Sequence, residues 1–216
     1  MCYSTDLIEL FNNKLDLSVT GSVAGMQLLQ EVSNVSFDDL LTLIDSFDTS
    51  TMLSSYDVPQ FSNIDAIDRV AVIFVSSGLP SFKAEQLGYY LLHHDDATPE
   101  ANRKYGENHG KAADLLGLAC FAKDYFPSVL TAAYISIKPL SLQTEIRAKL
   151  LLRLKVVQYL LQRSKCEYIN GYDCLRHLAR STMVRRGQSL RRIFQVLASR
   201  GNISLQQRAN NIYWEE

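Results

Sequence analysis

The chain has 216 residues, 47% of them hydrophobic and 21% charged, with a formal net charge of −1, which is enough for one large domain or two small ones around a real core. No apolar run approaches the roughly 20 residues that cross a bilayer, and residues 1–6 lack the basic start and apolar stretch of a signal peptide. The four cysteines, Cys2, Cys120, Cys166 and Cys174, form no C-x-x-C pair, so a reduced, cytoplasmic protein with no membrane contact is expected.

The small net charge conceals a strong segregation. Residues 1–65 carry ten Asp/Glu against one Lys/Arg, residues 66–140 eight against seven, and residues 141–216 five against fourteen. Such asymmetry concerns partners more than fold. The basic end suits phosphates, and the acidic end suits a basic surface, including the chain's own.

Residues 1–63 read as a small acidic helical region. Leu7, Leu10, Phe11 and Leu15 fall at helical spacing, and residues 37–47 repeat the pattern with Asp38 and Asp39 in the first turn, where the helix dipole favours carboxylates. Residues 48–63 are rich in Ser, Thr and Asp, as a linker is. A second region, 64–140, begins with a helix on Ile67, Val70, Ile73 and Phe74 that stops at Ser77-Gly78-Leu79-Pro80, followed by a helix on Ala84, Leu87, Leu91 and Leu92. After the polar turn His93-His94-Asp95-Asp96, Thr98-Pro99-Glu100 opens a third helix that Gly117 closes. Two apolar stretches, 119–122 and 129–137, then read as the strands of a β-hairpin. Three helices and a hairpin are the order of a winged helix.

The third region, 141–216, opens with a long helix over 141–163, striped by Leu142, Ile146, Leu150, Leu154, Val157 and Leu161. A short helix, 172–179, leads into a strongly basic one, 181–199, giving a second helix-turn-helix outline. Ile203, Leu205, Ile212, Tyr213 and Trp214 offer packing anchors in the polar tail. The expected fold is therefore mainly α: a winged helix followed by a second helix-turn-helix, with the acidic helical region in front.

On a helical wheel, Met183, Gly187, Leu190, Phe194 and Leu197 form the inner stripe of 181–199. Ser181, Arg185, Gln188, Ser189 and Arg192 fall opposite, with Arg186 and Arg191 on the flanks. These residue types suit a major groove: Arg bonds bidentately to guanine, Gln to adenine, and Arg or Ser to phosphate. Arg185, Gln188, Ser189 and Arg192 are expected to face bases or phosphates, and Ser181, Thr182, Arg186 and Arg191 the backbone. The helix 98–116 presents Arg103, Lys104 and Lys111 as further candidates, but Glu100, Glu107 and Asp114 share its outer face, so this module docks on DNA by its wing or binds protein.

The segment Lys104-Tyr105-Gly106-Glu107-Asn108-His109-Gly110-Lys111-Ala112-Ala113-Asp114-Leu115-Leu116-Gly117-Leu118 resembles the signature helix of a winged-helix family found in prokaryotic restriction-modification and related defence proteins. Ser181-Thr182-Met183-Val184-Arg185-Arg186-Gly187-Gln188-Ser189-Leu190 resembles that family's second Ser/Thr-hydrophobic-Arg-Arg helix. Asn108 and His109 stand where the family tends to have aromatics. The resemblance spans residues 66–200 and implies DNA recognition, without implying a reaction.

Catalysis is not expected. No Asp, Glu or Gln is followed two positions later by Lys, which removes the usual spacing of a restriction-type nuclease. Residues 106–112 brush against a P-loop, but have three residues rather than four between the glycines and no Ser/Thr after Lys111. Neither 93–96 nor Cys174 with His177 completes a zinc ligand set, so neither cofactor nor metal is expected. The sequence points to a non-catalytic protein that binds double-stranded DNA, as a recognition subunit or regulator attached to a restriction-like or anti-phage system. The competing expectation is an interaction adaptor that oligomerises or docks an acidic partner through its basic helices. A third combines them, with the acidic region shielding the basic helix.

Overall fold

The computed structural model describes residues 3–18, 22–50, 53–61, 63–92, 97–165, 167–200, 203–206 and 211–214. The turn expected at 93–96, Cys2, Cys166 and the side chain of Leu205 lie outside the described residues. The protein is mainly helical. Among the described residues the helices are α1 (Thr5–Phe11), α2 (Ser22–Asn34), α3 (Phe37–Asp45), α4 (Asp65–Ser77), α5 (Ala84–Leu92), α6 (Pro99–Leu116), α7 (Val129–Ser136), α8 (Leu140–Leu150), α9 (Lys155–Arg163) and α10 (Arg180–Ala198). Short strands are β1 (Cys120–Phe121), β2 (Tyr125–Phe126), β3 (Ile169–Asn170), β4 (Ile203–Gln206) and β5 (Asn211–Trp214).

The chain divides into two compact units, and the division differs from the expected regions 1–63, 64–140 and 141–216. One unit comprises 15–33 and 61–146; the other comprises 1–14, 34–60 and 147–216. The acidic N-terminal segment is thus shared out rather than forming a region of its own. Its apolar stripes are the reason: Leu7, Leu10, Phe11, Leu40 and Ile44 are fully buried, and two short helices have too little surface to bury them alone.

In the unit containing 61–146, α4 is followed by Phe82, α5, α6 and the hairpin β1–β2. Phe82 bridges Tyr125 in an antiparallel sense, with N–H···O bonds of 2.7 and 2.9 Å exchanged between them. Tyr125 also pairs with Phe121, so the last strand is central. α5 and α6 cross very closely: a Cβ on Gly106 would lie 1.8 Å from the Ala84 carbonyl oxygen. Thr98 caps α6 by accepting from Ala101 N at 3.2 Å, with Pro99 in the first turn and Gly117 at its end, as the sequence led us to expect.

One expectation fails here. Residues 129–137, read as a strand, form the helix α7. The β-branched run (Val129, Thr131, Ile135) favours a strand locally, but Ser128 accepts from Leu130 N at 3.1 Å while Thr131 Oγ1 accepts from Ser128 N at 2.7 Å. That reciprocal cap fixes a helix start, and a helix apolar on most sides suits a buried place. The hairpin is formed instead by 120–126, on the near side of Pro127.

In the other unit, the long helix expected over 141–163 is broken. A 3-10 turn spans Leu151–Arg153 and Leu154 is extended (φ −63°, ψ 118°) before α9 begins. Residues 150–154 are all buried, more than one amphipathic stripe can cover. Polar side chains satisfy the carbonyls left over at the break and at the end of α1. Gln158 Nε2 donates to Leu152 O and Phe11 O, both at 2.8 Å; Asn13 Nδ2 donates to Arg153 O at 2.7 Å; Arg153 Nε donates to Leu10 O at 2.8 Å. At the end of α3, Gln162 Nε2 donates to the carbonyls of Ile44, Asp45 and Phe47 at 2.9, 3.2 and 2.8 Å.

The helix expected at 172–179 is a 3-10 turn, Asp173–Leu175. The polar tail forms an unforeseen sheet of order β3–β5–β4, antiparallel throughout, with Ile203 opposite Trp214 and Ile169 opposite Ile212. The anchors Ile203, Ile212 and Trp214 are buried. The order α9, β3, 3-10 turn, α10, β4, β5 matches that of α4, Phe82, α5, α6, β1, β2. In both, the strand before the second helix pairs with the last strand.

Candidate nucleic-acid interface

α10 is the longest described helix, 19 residues without an acid. Its inner face is built as the wheel predicts: Leu190, Phe194 and Leu197 are buried, joined by Ile193, while Met183 is half-buried. Gly187 is required by Tyr172, whose ring lies where a side chain would stand; a Cβ there would approach Tyr172 Cε1 to 1.9 Å. This contact seats the second turn of α10 on the 3-10 turn before it.

The outer face carries Ser181, Val184, Arg185, Gln188 and Gln195, all exposed, with Thr182, Arg191 and Arg192 half-buried. Arg185 Nε donates to Ser181 O at 3.3 Å. Two of the expected face residues lie elsewhere. Ser189 is fully buried, its Oγ donating to Arg185 O at 3.4 Å. The wheel puts it at the edge of the outer face, and the fold covers that edge. Arg186 faces inward too, and donates through Nη1 to the carbonyl oxygens of Ser55 and of Val58, the latter at 2.6 Å. Burial, and then the positive charge of Arg185, push its pKa below the usual arginine value; the group stays charged at neutral pH.

The N-terminus of α10 has no side-chain cap. Ala179 precedes it, and the first turn holds Arg180 and no carboxylate. The partial positive charge of that end is therefore left without the usual negative complement. Of the nearby acids, Asp173 is engaged with Arg176 at 2.9 Å.

The three candidate cations on α6 are placed differently. Arg103 pairs with Glu100 at 2.8 Å and Glu107 at 2.5 Å, and Lys104 with Glu100 at 3.1 Å. These pairs lower the Glu100 pKa and raise that of Arg103. Lys111 is half-buried. α6 thus presents a face neutralised within itself, whereas α10 presents arginines and amides.

His109, on the inner side of α6, is 1% exposed. Its ring lies 4.0 Å from that of Tyr105, and Nδ1 is 2.9 Å from Tyr105 O. A carbonyl accepts, so Nδ1 carries the proton and Nε2 faces no hydrogen-bond partner among the described residues. Burial lowers its pKa, Arg69 adds to that, and the Tyr105 contact opposes it. The imidazole is neutral at pH 7.

Cys174 Sγ donates to Gly171 O at 3.1 Å, and burial pushes its thiol up to about 12. It supplies no thiolate for chemistry with His177, which is exposed. Among the described residues no group of three or more His, Cys, Asp or Glu is placed to hold a metal, and no helix is long and apolar enough to cross a membrane. Val184 and Gln195 went unnoticed in the sequence, although both share the outer arc of the wheel with Gln188. No family model matches the chain, and neither does any curated protein or solved structure.

Proposed function

We propose that this protein is a non-catalytic binder of double-stranded DNA that reads the major groove with α10. The observation that carries this is the outer face of α10: Arg185, Gln188 and Arg192 together on a helix without an acid. Bidentate Arg and Gln are the side chains that recognise guanine and adenine edges, and flanking Arg and Ser bind phosphate. Ser181, Thr182 and Arg191 border that face, and the uncapped N-terminus of α10 adds backbone donors for a phosphate. The order α9, β3, 3-10 turn, α10, β4, β5, with β3 beside β5, supports a winged-helix reading in which β4 and β5 form the wing. The same order in the other unit supports a second winged helix there. The resemblance of 104–118 and 181–190 to winged-helix defence proteins supplies the setting: a recognition subunit or regulator of a restriction-like or anti-phage system.

A gel-shift series with duplex and single-stranded DNA across salt tests the reading. Each phosphate neutralised contributes about −0.9 to the slope of log K against log salt. We expect steep weakening with salt and tighter binding of duplex. Salt-independent or absent binding would remove the proposal.

A second reading, an interaction adaptor, draws on the unit containing 61–146. There α6 is neutralised within itself, and Val72, Val75, Tyr89 and Tyr90 are exposed apolar side chains, the composition of protein contacts. The two readings are compatible if one unit grips DNA and the other a protein.

A further inference from the structure

We infer that Val184 is a specificity-determining residue of the α10 face, contacting the 5-methyl group of a thymine in the major groove. This rests on the DNA-binding reading above. Val184 is 44% exposed, one turn beyond Ser181 and one turn before Gln188, and adjacent to Arg185. A β-branched side chain loses rotamer freedom in a helix, and nearly half of this one faces outward. The exposed residues around it on α10 are polar, Ser181, Arg185 and Gln188, so it is not part of an apolar patch on this helix.

Base edges in the major groove offer hydrogen-bonding atoms with one exception, the thymine methyl, and an apolar side chain is what recognises it. Arg185, Gln188 and Val184 thus supply complements to three of the features the groove presents: those of guanine, of adenine and of the thymine methyl. Val184 and Gln188 lie one above the other on successive turns, so the methyl contact falls beside the adenine contact, in an A/T step. The target class is therefore duplex DNA with an A/T step next to a guanine, read in part through a methyl group.

Duplexes bound by the full chain would be selected from a random pool, and each thymine of the selected site replaced singly by deoxyuridine, which lacks only the methyl. We expect one replacement to weaken binding about fourfold, the worth of one buried methyl. The Val184→Ser variant, which replaces the apolar group with a hydroxyl, should lose that sensitivity, while Gln188→Ala keeps it. A thermal melt matching the parent establishes that the variant is folded. If uridine duplexes bind as tightly as thymine duplexes at every position, or Val184→Ser stays equally sensitive, the inference is overturned. If no duplex is bound at all, the DNA reading itself fails, and this with it.

Discussion

Arg186 of α10 donates through Nη1 to the carbonyl oxygen of Val58 at 2.6 Å, tying the basic helix to the acidic N-terminal segment across 128 positions of sequence. Val58 is fully buried, and the turn before it is held by Asp57, whose carboxylate accepts from Ser54 N at 2.7 Å and Ser54 Oγ at 2.6 Å. With Lys165 paired to Asp45 at 2.7 Å, part of the charge segregation is resolved inside the chain. Arg185 and Arg192 stand on the other side of α10, exposed and half-buried respectively.

Arg186 is accordingly a structural residue. We expect Arg186→Ala to destabilise the fold by about 1–3 kcal/mol, since it takes the donor from the carbonyl of the buried Val58. Arg186→Lys keeps the charge and a donor nitrogen, but on a shorter side chain, so it should recover only part of this. Arg185→Ala, on the exposed face, should stay within about 0.5 kcal/mol of the parent. Urea unfolding of the three variants separates these outcomes.

For DNA binding the order reverses. The Arg185→Ala/Arg192→Ala double variant should reduce the salt slope by about 2 and weaken duplex binding strongly at moderate salt. Arg103→Ala/Lys104→Ala should change neither, because those cations are already engaged with Glu100 and Glu107. Titrations by fluorescence anisotropy at several salt concentrations check both, and equal effects of the two pairs would contradict the assignment of α10.

Gly187 and Tyr172 should behave as a coupled pair. Gly187→Ala forces a Cβ into the Tyr172 ring, and overpacking of this kind costs about 1–3 kcal/mol. Tyr172→Ala vacates that space, so the double variant should lose less stability than the two single changes combined. A double-mutant cycle read by thermal unfolding measures it, and strict additivity would show that the contact is unimportant.

His109 makes stability depend on pH. Its folded pKa lies below the ordinary histidine value, so the unfolded chain takes up the proton first as pH falls. The stability from burying the neutral ring is complete above about 6.5, the unfolded value, and drains away below that until pH passes the folded value. We expect the melting temperature to drop between pH 7.5 and 5.5, and His109→Gln to show a flatter profile whatever its starting stability. Melts at the two pH values compare the slopes.

What the residues determine locally was legible from the chain alone. Thr98-Pro99-Glu100 starts α6, the apolar stripe of α10 faces inward, and Leu7, Leu10, Phe11, Leu40 and Ile44 are core, because caps and helical periodicity act over a few residues. Readings that depended on distant neighbours came out differently. The helix expected over 141–163 broke where Gln158, Asn13 and Arg153 could satisfy carbonyls 140 or so positions away, whereas the strand expected at 129–137 missed a local signal, the mutual cap of Ser128 and Thr131 that starts a helix at Val129.

The candidate surface divides in the same way. Helical spacing placed Arg185, Gln188 and Arg192 on one side of α10, and the tertiary structure left them exposed or half-exposed. Only that structure decided that Ser189 is covered and that Arg186 serves the carbonyls of Ser55 and Val58. A wheel knows the angle of a side chain but not what long-range packing lays against it. The carbonyls of Ser55 and Val58, 131 and 128 positions before Arg186, reach it only because the fold returns that stretch of chain to α10.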